Sequence, residues 1–136
     1  MPNSSRGLTD FYGYQVNVTS IAAAANATVN INIRAHADFI IHKLAMFCDI
    51  AGAVQTDSTR VLPLVTLQLT DTGAGKQFFS DVVPLPILFG AGGGPFILPG
   101  PRRIAANSTL QFAFNNYSAA TTYRLYLTLL GVEVSL

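Results

Sequence analysis

The sequence predicts an all-β fold: an antiparallel β-sandwich, jelly-roll-like, with an N-terminal arm. Three observations predict it. Apolar and polar residues alternate strictly in several separate runs, the mark of half-buried strands. Clusters of Gly, Pro, Asn and Asp punctuate those runs at short intervals. No amphipathic helix of ordinary length is legible anywhere in the chain.

Taken in order, residues 1–13 are polar until Phe11 and Tyr12 and read as an arm, leaving residues 14–136 as one domain. YQVNVTSI alternates Val16 and Val18 against Gln15, Asn17 and Thr19. IAAAANA is too short for a stable helix and reads as a connector. TVNINIR sets Val29, Ile31 and Ile33 on one face, and FIIHKLAMFCDI is a denser strand buried in part on both faces. AGAVQTDSTR has turn composition, and VLPLVTLQLTD alternates again, with Pro63 confined to the strand start or an edge. Asp71–Gly75 forms the loop of a hairpin whose return strand is KQFFSDVVPL. Residues 84–101, PLPILFGAGGGPFILPGP, read as a long ordered loop without helix or ladder, because proline removes the backbone donor both need. After RRIAANS, with a turn at Asn107-Ser108, TLQFAFNN alternates. The final run YRLYLTLLGVEV does so too, with Gly131 marking a bulge. The sum is about eight strands with turn signals between them, the pattern of a sandwich or barrel. The immunoglobulin-like alternative lacks its Cys…Trp…Cys signature, and the chain holds no Trp.

Composition narrows the function. Hydrophobic residues make up 50% of the chain and charged residues 11%, against about 25% charged in an ordinary soluble domain. So few ionised groups imply a neutral polar exterior and a substantial part of the surface covered by neighbours. A formal net charge of +1 and the absence of a basic stripe argue against nucleic acid. No run approaches the roughly 18 apolar residues of a membrane helix, and the N-terminus has no signal-peptide core. The five Asn-x-Ser/Thr sequons, at Asn3, Asn17, Asn26, Asn107 and Asn116, read as products of an Asn/Thr/Ser-rich surface. Cys48, the single cysteine, reads as a buried structural thiol.

Catalytic and cofactor patterns were weighed in turn, and the reading is that the chain is not an enzyme and carries no cofactor. Gly73-Ala74-Gly75-Lys76 matches only the tail of a phosphate loop. Gly90–Pro95 fails the dinucleotide fingerprint at its last position. His36, Asp38 and His42 share a strand parity but span about 20 Å at about 3.3 Å per residue, too far for one ion. No Gly-x-Ser-x-Gly elbow is present. The aromatics carry more weight. Phe112 and Phe114 read as core, whereas Phe11, Tyr12 and Tyr14 in the arm, and Phe89, Phe96, Arg102 and Arg103 in or beside the long loop, are the candidate interface residues.

From FYGYQVNV to LTLLGVEV the chain resembles small tailed-bacteriophage virion proteins. The resemblance lies in DFIIHKLAMFCDI, LVTLQLTDTGAGKQFFSDVVPLPILFG, PFILPGPRRIAANSTLQF and YRLYLTLLGVEV. It implies a capsid decoration or cement protein on the virion surface, made in the host cytoplasm. Its partners would be itself, as a dimer or trimer, and the major capsid protein, with no nucleic acid and no membrane. The competing reading is a phage tail, fibre or carbohydrate-binding receptor module.

Overall fold

The computed structural model describes residues 9–52, 61, 63–88, 90, 91 and 95–136. Residues 1–8 of the expected arm, the turn segment 53–60, Phe89 and Gly92–Gly94 lie outside the described residues.

The chain is an all-β sandwich. Its long strands are β1 (Thr9–Ile21), β2 (Asn26–Asn32), β3 (Ala37–Ile50), β4 (Val65–Asp71), β8 (Phe96–Ile104), β9 (Thr109–Asn116) and β10 (Tyr123–Ser135). The short pieces are β5 (Lys76–Gln77), β6 (Val83–Pro84), the single helical turn α1 (Leu85–Leu88) and β7 (Gly90–Ala91). One sheet runs β1-β10-β3, with β8 and the short β7 both on β3; the other runs β2-β9-β4, with β5 and β6 both on β4. Every pair is antiparallel except β3 with β7. First pairs with last, second with next-to-last, and so on inward: β1·β10, β2·β9, β3·β8, β4·β5/β6. That nested pairing is the jelly roll.

Alternation in the sequence becomes the two faces of each sheet. Val16, Val18, Leu125, Leu127, Leu129, Phe39, Ile41, Leu44 and Met46 point inward from the first sheet, and Leu67, Leu69, Leu110, Phe112 and Phe114 from the second. Together they form one continuous apolar core. Cys48 is buried in it, and burial, reinforced by neighbouring Asp49, pushes its thiol pKa up to about 12.

Three parts of the architecture differ from the sequence expectation. The arm boundary expected after residue 13 falls inside β1, because Thr9–Gly13 pair with Val134–Leu130 of β10. The expected return strand KQFFSDVVPL is split: β5 and β6 each pair with β4, the Phe78 amide still donates to the Leu69 carbonyl, and Phe79–Val82 bow away between them. The segment expected to hold no ladder contains β8, an edge strand on β3. Its prolines are tolerated because Pro99 and Pro101 sit where the strand leaves its neighbour. The bulge at Gly131 is present, with the β10–β3 register shifting between Leu130 and Gly131. The connector at Ala22–Ala25 is a turn with Ala24 at φ 58°, and Asn107 takes φ 65° in the turn before β9.

Candidate functional site

The outward faces of the two sheets differ in kind. On the first sheet the register lines up Phe11 of β1, Val132 of β10 and Ile40 of β3 in one row, and Gly13, Leu130, Lys43 and Ile97 in the next. Phe11 is 75% exposed and Ile97 65%. Val132, Ile40 and Leu130 are half-buried. A shallow apolar depression of about 340 Å³ lies among Phe11, His42, Lys43, Leu130, Gly131 and Val132.

The second sheet is neutral and hydrogen-bonding on its outer side. Its rows read Asn26–Asn115–Thr66, Thr28–Ala113–Gln68 and Asn30–Gln111–Thr70, with no ionisable side chain among them. Thr109 donates its hydroxyl across the strands to the Asn32 carboxamide at 2.9 Å. Gln68 donates to the Phe79 carbonyl at 3.1 Å where the bowed segment folds over β4.

The charged residues are spent largely on intramolecular ties. The Arg34 guanidinium meets the Glu133 carboxylate through two nitrogens, with Nε 2.8 Å from Oε2. It also lies 4.0 Å above the Tyr12 ring. The Arg34 amide donates to the Tyr14 hydroxyl at 3.0 Å. This hydrogen-bonded guanidinium holds the Glu133 carboxyl below its usual range. Burial raises the Tyr14 phenol. At Asp38 burial works against ionisation, yet the Ala106 amide at 2.8 Å and the Arg103 guanidinium at 2.9 Å outweigh it and lower the carboxyl pKa. Arg124 Nε donates to Asp49, which is fully buried, at 2.7 Å. Asn116, 1% exposed, donates to the carbonyls of Ile21, Ala22 and Thr121 and accepts from the Ser118 amide, closing one end of the sandwich.

The structure separates the expected interface residues. Among the described residues Phe11 is the exposed aromatic of that set. Tyr12 is half-buried beneath Arg34, and Tyr14 is 7% exposed with its ring edge-on to Phe39 at 4.7 Å, so both serve the sandwich's own packing. Phe96 is half-buried and Arg102 stacks over the Phe78 ring at 4.1 Å. Arg103 is tied to Asp38. Phe89 lies outside the described residues. Of the three residues weighed as metal ligands, Asp38 is taken up by Arg103 and Ala106, and His42 occupies a bulge. Among the described residues no group of three or more His, Cys, Asp or Glu is placed to hold a metal ion. Sequence reasoning missed Ile40, Leu130 and Val132; their signal was outward parity on strands whose other face is core.

No family model matches the chain, and no curated protein matches it. Among solved structures, the Drosophila NLP-core, described in terms of pentamer formation and histone binding, aligns over 92% of this chain and 98% of that one. The identity is 11% and the TM-score 0.37. A likeness at that level carries no argument about this protein's assembly or ligands.

Proposed function

We propose that this protein is a non-enzymatic structural component of a phage virion, a decoration or cement protein that oligomerises and binds the capsid through largely apolar contacts. The observation that carries the reading is the outer face of the β1-β10-β3-β8 sheet. The row Phe11–Val132–Ile40, continued by Leu130 and Ile97, turns apolar side chains to solvent beside two exposed cations of the same rows, Lys43 and Arg103. Covering one such side chain stabilises a contact by about 1.5–3 kcal/mol before association costs are subtracted. The jelly roll recurs among viral capsid domains. A neutral opposite face and side chains consumed by internal ion pairs fit a protein that works by shape and packing.

The test is light scattering after size-exclusion chromatography, with co-sedimentation on phage heads as the second readout. The wild-type chain is expected to run as a dimer or trimer and to pellet with heads. Phe11→Asp combined with Ile97→Asp is expected to give a monomer that melts at the wild-type temperature and stays in the supernatant. A wild-type chain that remains monomeric at high concentration and ignores heads overturns the reading.

A further inference from the structure

The edge where β8 leaves β3 forms a feature that the association reading does not use. Ile97 pairs with Lys43 and Arg102 with Ile41, so Leu98, Pro99, Gly100 and Pro101 all stand opposite the single residue His42. Two prolines without backbone donors, flanking a glycine, make this excursion stable as a departure from the ladder. Lifting the edge strand leaves a recess over the margin of the core. A cavity of about 300 Å³ opens there, with Ile41 and Leu44 of β3 and Leu69 of β4 among its lining residues. Those three are core residues, 0%, 5% and 1% exposed. Phe78 and Phe96 also line it.

One charge faces this apolar space. Arg102 lines the cavity, its guanidinium resting 4.1 Å over the Phe78 ring. No carboxylate lines the cavity, and among the described residues no ion pair engages Arg102. The other arginines of known geometry, Arg34, Arg103 and Arg124, each meet a carboxylate. A small-molecule site is typically an apolar concavity of about 300–1,000 Å³ with a few placed polar groups, and this volume stands at the small end. A guanidinium stacked on an aromatic face keeps its edge donors available to an incoming oxyanion.

We propose that this cavity binds a small amphipathic carboxylate, its hydrocarbon portion resting on the partly exposed Phe79, Phe96 and Leu98 and its carboxylate on Arg102. The charge decides the class. A neutral hydrocarbon leaves Arg102 unused, and a cationic amphiphile meets repulsion with no compensating acid. The site lies away from the Phe11–Val132–Ile40 row and does not depend on oligomer formation.

Because the chain contains no tryptophan, Phe78→Trp places a single fluorophore beneath Arg102 while keeping an aromatic face for it. Titration of this variant with octanoate, octanol and octylammonium is expected to give saturable emission changes in the affinity order octanoate, octanol, octylammonium. Adding Arg102→Gln is expected to weaken octanoate at least tenfold and octanol less than twofold, and Arg102→Lys to restore most of the loss. Adding Phe11→Asp is expected to leave octanoate affinity unchanged, which separates failure of this site from failure of the association face. No saturable response to octanoate overturns the proposal. So does equal affinity for octanoate and octylammonium, or octanoate affinity indifferent to Arg102→Gln. As a check on the reporter, wild-type protein is titrated calorimetrically with octanoate; heat of binding absent there also overturns it.

Discussion

Gly131 of β10 lies so close to Ile40 of β3 that a Cβ on the glycine would stand 1.9 Å from the Ile40 carbonyl oxygen. The cause is His42, which has no partner in the β10–β3 register: Leu130 faces Lys43 and Gly131 faces Ile41. The extra residue bends β3 toward β10, and only a residue without a side chain fits the pinch. Gly131→Ala is therefore expected to destabilise the fold by about 3 kcal/mol or more, the upper range for forced overpacking. Urea denaturation with an unchanged m-value and a lowered midpoint checks it.

Glu133 gives a pH prediction. Its folded pKa is lowered by Arg34, so the ion pair contributes stability that is present above the unfolded value, about 4.3, and lost as pH falls through the folded value. Asp38 behaves alike through Ala106 and Arg103, with an unfolded value of about 3.9. The wild-type chain is expected to lose stability on acidification below about pH 4.5. Glu133→Gln is expected to be less stable than wild type at pH 7, with the gap closing toward pH 3. Denaturation midpoints measured across that range decide it.

Asn116 gives a third. Its buried carboxamide satisfies three carbonyls and one amide from the two connections at one end of the sandwich. Asn116→Ala strands those groups and is expected to cost about 2–4 kcal/mol, several unsatisfied polar groups at partial relaxation. Asn116→Asp puts an acceptor where three carbonyls need a donor and is expected to be worse at pH 7 than at pH 4. Thermal melts at both pH values check this.

A fourth concerns the neutral face. Ala113 is exposed in the middle of β9. Ala113→Glu is expected to change stability by no more than about 0.5 kcal/mol and, if the proposed association face is the other sheet, to leave self-association unchanged. Light scattering of the variant tests it.

Much of this was legible in the residues. Val16 and Val18, Leu67 and Leu69, Phe112 and Phe114, Leu125, Leu127 and Leu129 all announce one buried face by period-two spacing, and Gly131 announces its bulge. Tyr12 and Tyr14 carry the same even parity as Val16 and Val18. Their inward placement was readable too, had the strand been extended back past Gly13. β8 was hidden because FILPGPRRI packs two prolines into a strand that pairs only at its ends; composition registers the prolines, not the partner. The ties of Arg34 to Glu133 and of Arg102 to Phe78 join residues 99 and 24 positions apart, and no local pattern encodes such distances. Ile40 lies in a run of dense hydrophobicity and Val132 just past the bulge expected at Gly131, so neither declares its face in the sequence. Only the sheet order shows that their side is uncovered by the second sheet.

The central place of β10 has a consequence for biosynthesis. β1 and β3 have no contact ladder with each other; β1 is held in its sheet by β10, whereas β3 pairs with β10 on one side and β8 on the other. β1 therefore cannot join its sheet until residues 123–135 have emerged, and its hydrophobic face depends in that interval on delayed collapse or on chaperones. Truncation ahead of Tyr123 would remove the strand between β1 and β3 and leave the facing edges of both unpaired and open to aggregation.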